Sequence, residues 1–513
     1  MRTLAPTFRP YEWAPSTTEL AREAGLDPLE MVRFDGNVPP WPLPASRPGA
    51  IAGTLARINE YPHGGSPELV AAIADYAGVE PANVVLGAGA DDLILLSART
   101  FAGPGDVVAI ADEPTYSLYR VAAGLSGAVV GDEDAVVTFC CRPNNPTGAL
   151  EPVPDARPLV VDEAYFEYAR ETAAGLLDDG VVVLRTFSKA FGLAGARVGY
   201  ALADAETAAE LRRRQAPAPV STLSASLALA ALSEPPDVGP QVEERERLAA
   251  ELRRLGLEPL QSAANFVFVP LADPDALAGR LLQDGLVVRS LDGGIRISIR
   301  DREDDDLLLA GLARALGREA PSNSELLGRS GRSARHLRAT AETRIAVRLR
   351  LDGTGQVRVA TGAGLYDHLL EQLAFHGRLD IVLEGAGDLE TGEHHTAEDA
   401  ALALGEALDR ALGDRRGIAR YGDATVPMDD ALARAAVDLG GRPWAEIDLD
   451  PDPGLATHVL ASLAQAGRLA VHVEATGDDA HHTAEAAFKA VGRALGAAVA
   501  RGQVGIPSTK GRL

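Results

Sequence analysis

An internal repeat in the last third of the chain requires that this part fold as two similar halves. The segment at residues 367–399, DHLLEQLAFHGRLDIVLEGAGDLETGEHHTAED, aligns with residues 457–486, THVLASLAQAGRLAVHVEATGDDAHHTAEA. The string HHTAE occurs in both copies, and the offset falls from 90 to 87 residues because the second loop is three residues shorter. A duplicated half-domain is the simplest interpretation.

Nine of the ten histidines lie between His336 and His482, and the repeat shows which of them occupy equivalent positions in its two copies. On a helix, the Glu of HHxxE can share a face with either histidine, whereas the adjacent histidines diverge by about 100°. Imidazole and carboxylate without thiolate suit Mn, Fe, Zn or Ni, and fit octahedral Mn well. A single HH pair is typical of a polar helix start, but its repetition predicts a metal site. The aligned pairs are His368 with His458, His394 with His481, His395 with His482, and Glu398 with Glu485.

Residues 341–513 resemble the imidazoleglycerol-phosphate dehydratases over essentially the whole length of that family. The matching motifs, in order, are LDGTG, TGAGLYDHLLEQLAFHG, HHTAEDAALALGEAL, GIARYGDATVPMDDA, GGRPW, HHTAEAAFKAVGRAL and PSTKGRL. The resemblance implies two Mn²⁺ ions, bound by all eight aligned residues, in sites completed between the subunits of a large assembly. It implies substrate contacts from Glu342 and Gln372, and phosphate contacts from Arg420, Arg442, Ser508 and Lys510. Glu398 or Glu485 could also carry protons, and the sequence does not separate ligand from base.

The first part of the chain contains a lysine in the setting of a cofactor-binding residue. The run TFSKAFGLAG, residues 186–195, follows an apolar run and places Lys189 beside a serine and before glycines. Such a lysine can form an imine with an aldehyde cofactor, while nearby N–H and hydroxyl groups hold a phosphate. Upstream, RPNNPTG and VVDEAY each follow an apolar run, so Lys189, Asp162 and Asn145 are predicted to meet at one sheet edge. On its own, the run around Lys189 would favour a solvated surface lysine, but the two upstream runs favour a cofactor site.

Residues 32–317 resemble the fold-type I pyridoxal-phosphate aminotransferases, most closely the histidinol-phosphate aminotransferases, above all in VVLRTFSKAFGLAGARVGY. The resemblance implies that Lys189 binds pyridoxal phosphate, that Asp162 pairs with its ring nitrogen and that Arg296 holds the substrate's anionic end. It implies a catalytic role for Lys189 and Asp162. The other implied cofactor contacts are Asn145, Tyr165, Tyr116, Ser188, Arg197, Ala90, Asp91 and, from a partner subunit, Tyr61.

The predicted architecture is a fold-type I α/β aminotransferase followed by an α+β duplicated half-domain. Apolar runs alternate with helical patterns up to residue 203, which predicts an α/β sheet covered on both faces, and a small α+β lobe follows. Residues 318–336 are rich in Gly, Ser and Arg and are predicted to be a linker. The predicted boundaries are a lead-in at 1–31, the aminotransferase at 32–317, and the dehydratase at 337–513, with repeats at about 340–412 and 424–500.

Composition limits the partners and the compartment. The net charge of −24 argues against nonspecific binding to nucleic acid or to an anionic membrane. No apolar run is long enough to span a bilayer, and the amino terminus lacks the apolar core of a signal peptide. The only cysteines, Cys140 and Cys141, are adjacent on a predicted strand, which favours a reducing, cytoplasmic setting.

Together, the two resemblances predict neighbouring steps of histidine biosynthesis in one homo-oligomeric chain. The ketone that the dehydratase would release, imidazoleacetol phosphate, is what the aminotransferase would convert with glutamate, which leaves as 2-oxoglutarate. Three alternatives remain at this stage. The aminotransferase could act on another amino acid, and the carboxyl-terminal half could be a noncatalytic, metal-dependent assembly module. A metal-sensing regulator is disfavoured by the acidity and by the lack of a DNA-binding motif.

Overall fold

The chain folds into two compact units, residues Met1–Pro321 and Ser322–Leu513, and each is described separately. The computed structural model describes residues 8–11, 14–39, 52–55, 58–62, 65–318, 332–502 and 505–508. Most of the predicted linker lies outside the described residues. Its end was placed too late, because residues 333–336 already belong to the first strand of the second unit, where they are paired along their whole length.

The first unit contains a seven-stranded sheet and a small lobe. The strand order of the large sheet is β2-β8-β7-β6-β5-β3-β4, and only β8 runs antiparallel to its neighbours. Strands β6 and β7 are buried along their whole length, as expected for a sheet covered by helices on both faces. The strands of the unit are β1 Val32–Arg33, β2 Val84–Gly87, β3 Val107–Ile110, β4 Val129–Val130, β5 Ala135–Cys141, β6 Leu159–Asp162, β7 Val181–Thr186, β8 Gly199–Leu202, β9 Phe266–Pro270, β10 Leu286–Val287, β11 Arg289–Leu291 and β12 Gly294–Ser298.

Several helices of this unit begin after a polar residue that caps them. Asp204, Ser221, Asp273 and Asp301 each accept a hydrogen bond from a backbone N–H of the first turn that follows. The helices are Thr17–Ala24, Ala52–Leu55, Pro67–Ala77, Ala90–Phe101, Leu118–Ser126, Phe166–Ala169, Ala205–Arg214, Thr222–Ser233, Gly239–Arg254, Pro274–Gln283 and Arg302–Ala315. Short 3₁₀ turns lie at Pro28–Glu30, Pro81–Asn83, Ala174–Asp179 and Ala194–Ala196.

The small lobe contains a β-hairpin. Strands β11 and β12 pair around Asp292 and Gly293, and Gly293 has the positive φ of 80° that favours glycine in this turn. Strand β12 also pairs with β9, which completes a three-stranded antiparallel sheet in the order β11-β12-β9. Near the start of the chain, β1 pairs in parallel with β10 and thereby joins residues 32–33 to the lobe.

The second unit contains two four-stranded sheets of the same topology, as the repeat predicts. Their orders are β13-β14-β16-β15 and β17-β18-β20-β19, and in each sheet the last pair is parallel and the other pairs are antiparallel. The strands are β13 Ser333–Ala339, β14 Thr343–Arg350, β15 Val357–Ala360, β16 Asp380–Gly387, β17 Tyr421–Met428, β18 Ala431–Asp438, β19 Trp444–Asp450 and β20 Ala470–Thr476.

The helices of the second unit pack crosswise between its halves, around one shared hydrophobic core. A Cβ atom built on Gly492 would lie 2.2 Å from the Leu373 carbonyl oxygen, and one on Gly405 would lie 2.7 Å from that of Leu463. Each half therefore packs its second helix closely on the first helix of the other half. The helices are Gly364–His376, His394–Leu412, Ala456–Ala466 and Ala480–Val499, with a 3₁₀ turn at Leu389–Thr391. No helix in the described ranges is both long and apolar enough for a membrane crossing.

Candidate active sites in the two units

In the first unit, a buried carboxylate lies at the carboxyl end of the parallel strands. Asp162 ends β6 and is only 3% exposed. Its Oδ2 accepts a hydrogen bond from the Tyr119 hydroxyl at 2.8 Å, and its Oδ1 accepts one from the Ala164 N–H at 3.1 Å. Burial raises the pKa of Asp162 to about 6, although these two hydrogen bonds favour the ionised form. A cationic partner would relieve this cost.

Lys189 follows β7 at the same edge of the sheet. Its Nζ lies 3.4 Å from the Gly36 carbonyl oxygen and 5.7 Å from the centre of the Tyr165 ring. Burial, and then the positive charge of Arg296, lower the pKa of Lys189 to about 8. The amine loses its proton more readily than a free lysine does, as imine formation requires.

Arg296 of β12 bonds Asn145, one of the predicted cofactor contacts. Its Nη1 donates to Asn145 Oδ1 at 2.6 Å and its Nη2 donates to the Asp35 carbonyl oxygen at 2.8 Å. Its Nε is buried and has no hydrogen-bond partner among the described residues. Burial lowers the pKa of this guanidinium. Nearby, Asn37 Nδ2 donates to the Tyr165 hydroxyl at 3.1 Å.

The glycine loop after β2 and the start of helix Ala90–Phe101 form a candidate anion site. Gly89 has a φ of 89°, and a Cβ atom there would lie 2.9 Å from Arg197 Nη2. Arg197 donates to Asp91 Oδ2 at 2.9 Å, and Tyr116 donates to the other Asp91 oxygen at 3.1 Å. Helix amino termini, guanidinium groups and hydroxyls are the groups that hold phosphate.

Ser188 and Tyr61, two further predicted cofactor contacts, differ in their exposure. Ser188 is buried, and its Oγ accepts a hydrogen bond from the Thr186 hydroxyl at 3.0 Å. Tyr61 is 87% exposed, so its side chain is available to another molecule.

The sequence reasoning missed Tyr119 and Asn37. Tyr119 is fully buried and bonds Asp162, and Asn37 bonds the Tyr165 hydroxyl. A signal for the first was present, since EPTYSLY contains a second tyrosine three residues after Tyr116.

In the second unit, the aligned histidines and glutamates form two triads. The 368 triad contains His368, His481 and Glu485, and the 458 triad contains His394, His458 and Glu398. Within each triad the ligand atoms lie within 4.8 Å of one another, which is close enough for one ion to bind all three. Each triad takes its upstream histidine from one half and its HxxxE pair from the other, because the helices pack crosswise.

The second histidine of each HH pair lies outside the triads. His395 Nδ1 lies 3.1 Å from Asp388 Oδ2 and 3.6 Å from Glu342 Oε2. His482 Nδ1 lies 2.5 Å from Asp430 Oδ1. These carboxylates raise the pKa values of the two histidines. Glu342, a predicted substrate contact, thus lies beside His395.

The remaining predicted substrate residues are dispersed. Gln372 lies one turn after His368 on the same helix. Arg420 pairs with both carboxylate oxygens of Asp438, at 2.8 and 3.1 Å. It also donates to the carbonyl oxygen of Pro507, the residue before Ser508, at 2.9 Å. Arg442 is exposed. Lys510 lies outside the described residues.

Comparisons with known proteins match each unit separately. The model for "Aminotransferase class I and II" matches residues 34–132 and 131–312, and the model for "Imidazoleglycerol-phosphate dehydratase" matches residues 361–495. An imidazoleglycerol-phosphate dehydratase from Salinispora arenicola is 48% identical over 201 residues, which cover 36% of this chain and 99% of that protein.

Solved aminotransferases resemble the first unit. The histidinol-phosphate aminotransferase of Sinorhizobium meliloti, solved with pyridoxal-5'-phosphate, is 27% identical with a TM-score of 0.53, over 60% of this chain and 95% of that one. A putative aminotransferase of Burkholderia pseudomallei is 29% identical with a TM-score of 0.50, over 56% of this chain and 98% of that one.

Proposed function

Because this chain belongs to the class I and II aminotransferases and, through its second unit, to the imidazoleglycerol-phosphate dehydratases, we propose that it performs two steps of histidine biosynthesis. The second unit dehydrates imidazoleglycerol phosphate to imidazoleacetol phosphate. The first unit transfers an amino group from glutamate to that ketone and releases histidinol phosphate and 2-oxoglutarate. The observation that carries the proposal is the presence in one chain of the Lys189–Asp162 site and of two His/His/Glu triads.

The residues of the first site fit pyridoxal phosphate. The buried Asp162 carboxylate gains a partner in the protonated ring nitrogen, and the loop at Gly89 with Arg197 accepts the phosphate. When bound, the cofactor supplies an electron sink and a carbonyl group for the amino donor. Lys189 would hold the cofactor at its aldehyde and, as the free amine, would carry protons at Nζ, for which its lowered pKa is suited. Asn145 and Tyr165 would orient the ring and Tyr116 would stack on it. Ser188, Ala90, Asp91 and the partner's tyrosine equivalent to Tyr61 would complete the phosphate site.

Arg296 is suited to recognise the substrates. Its half-buried guanidinium bonds one amide and one carbonyl oxygen, and its Nε has no partner in the part of the chain that the structure describes, so it can take a further acceptor without leaving its position. Glutamate and the phosphorylated imidazole substrate both present an anionic group, and we assign its binding to Arg296.

The two triads fit divalent cations, and we propose Mn²⁺ for both. His395 and His482 complete the sites of neighbouring subunits, since both lie outside the triads of their own chain. Bound metal acts as Lewis acid and template for the imidazole ring. Glu342 and Gln372 contact the substrate, and Arg420, Arg442, Ser508 and Lys510 hold its phosphate. Glu398 or Glu485 moves the proton.

These assignments imply an oligomer of this chain. Tyr61 serves an aminotransferase dimer, and the paired histidines serve a larger dehydratase assembly. The two cysteines, which are buried and form no disulfide, favour a cytoplasmic location.

A coupled assay tests the proposal. The full chain is incubated with pyridoxal phosphate, Mn²⁺, imidazoleglycerol phosphate and glutamate, and both products are read by mass spectrometry. We expect histidinol phosphate from the wild type, the ketone alone from Lys189→Ala, and neither product from His395→Ala. The His395→Ala variant should still transaminate added ketone, which makes each variant the control for the other unit. Absence of both products from wild-type chain with bound Mn²⁺ would support the assembly-module alternative, and accumulation of the ketone without histidinol phosphate would point to another amino-acid substrate.

A further inference from the structure

The two triads differ in their neighbouring charges, although the internal repeat relates them. Lys489 Nζ lies 2.8 Å from Glu485 Oε1 in the 368 triad and 3.2 Å from Met428 Sδ, and the lysine side chain is 15% exposed. In the alignment of HHTAEDAAL with HHTAEAAFK, the residue equivalent to Lys489 is Leu402. The 458 triad therefore has an aliphatic side chain where the 368 triad has an ammonium group.

The lysine changes how the glutamate faces its triad. Both histidines of the 368 triad lie closest to Glu485 Oε2, at 3.7 and 3.3 Å, while Oε1 is held by Lys489. In the 458 triad, Glu398 Oε2 faces one histidine at 3.7 Å and Oε1 faces the other at 3.4 Å. Glu398 thus offers both oxygens and has no lysine or arginine partner among the described residues, whereas Glu485 offers one oxygen and its charge is balanced by Lys489.

The next helical turn repeats the difference in charge. Arg493 lies one turn after Lys489, and the residue that aligns with it in the other half is Glu406. Burial, and then the positive charges of Lys489 and Arg493, lower the pKa of His376. Since His376 lies on the same helix as His368, both cations lie along the helix pair that forms the 368 triad.

We propose that the 368 triad binds its divalent cation about tenfold more weakly than the 458 triad, so that the two ions load in order. A single positive charge about 6 Å from a divalent ion in a water-like medium accounts for a loss in affinity of about tenfold. This inference rests on the proposed metal-dependent dehydratase and adds a difference between its two sites.

The test is a Mn²⁺ titration of the metal-free full chain, with free Mn²⁺ read by electron paramagnetic resonance. We expect two affinity classes about tenfold apart, with the weaker class lost in His368→Ala and the stronger class lost in His458→Ala. Lys489→Leu, which installs the residue of the other half, should bring the two classes together. Leu402→Lys should weaken the stronger class by about tenfold, and it supplies an independent test if Lys489→Leu does not fold.

Several results would overturn the inference. They are a single class in the wild type, two classes that neither substitution moves, or loss of the stronger class in His368→Ala. Failure of the folded wild type to bind any Mn²⁺ would instead overturn the proposed metal sites themselves. Binding at two equal sites would leave the dehydratase proposal intact and remove only the inferred order.

Discussion

The buried Asp162 carboxylate should make the cofactor-free first unit less stable than a variant that lacks the charge. Its pKa rises from 3.8 to about 6 on folding, which corresponds to a cost of about 3 kcal/mol at pH 7.5. In Asp162→Asn, the amide oxygen can still accept from Ala164 N–H, and the amide nitrogen can donate to the Tyr119 hydroxyl. With about 1 kcal/mol allowed for weaker hydrogen bonds, we expect the free energy of unfolding of the variant to exceed that of the wild type by about 2 kcal/mol.

The sign of the pH dependence follows from the same shift. The folded pKa is the higher one, so wild-type stability contributed by this group is fully present below about pH 4 and is lost as pH rises through about 6. The advantage of Asp162→Asn should therefore be full at pH 7.5 and absent near pH 4. Differential scanning calorimetry of the full chain measures it, in the transition that pyridoxal phosphate shifts.

Two controls make this result specific. Tyr119→Phe keeps the carboxylate but removes its 2.8 Å hydrogen bond, so it should lower the stability of the cofactor-free unit by about 1 to 2 kcal/mol. Saturating pyridoxal phosphate should reverse the order of wild type and Asp162→Asn, because only the wild type can pair with the ring nitrogen. The reasoning is refuted if Asp162→Asn destabilises the cofactor-free unit at pH 7.5, or stabilises it equally at pH 4 and 7.5.

Three further predictions concern both units. Gly492→Ala should destabilise the second unit by about 1 to 3 kcal/mol, measured by calorimetry, since its Cβ atom would lie 2.2 Å from a backbone oxygen. The control Gly364→Ala, whose Cβ atom would have nothing within 4 Å, should have a small effect. Equal effects of the two substitutions would contradict the crosswise packing. Capture of pyridoxal phosphate by the cofactor-free chain, followed by absorbance, should rise with pH around the Lys189 pKa of about 8. Arg296→Met should move that midpoint to higher pH, and an unchanged midpoint would exclude an electrostatic role. Removal of metal by EDTA should abolish dehydration and leave transamination of added ketone intact; loss of both would mean that the first unit also needs metal.

The fold was predictable where apolar runs end in polar residues. Lys189, Asp162 and Asn145 could be placed at one edge because the carboxyl ends of parallel strands meet there, and the alternation of runs predicted the covered sheet. Tyr119 and Asn37 were not predicted, because their roles depend on hydrogen bonds between segments distant in sequence.

The repeat predicted which residues are equivalent but not which of them meet. An alignment of the two halves does not show whether His368 meets Glu398 of its own half or Glu485 of the other half. Close approach of helices at Gly405 and Gly492 decides between them, and this contact depends on tertiary packing. For the same reason the sequence did not separate His395 and His482 from the triads.

The crosswise packing has a consequence for how this unit could have arisen. Because each triad takes ligands from both halves, a single half could not have bound a metal ion with a complete triad. A half-sized ancestor would have needed to pair with a second copy. Two identical copies would necessarily have formed two identical sites. After fusion of the two copies, equivalent positions could come to differ, as Lys489 and Leu402 do in the two halves of this unit.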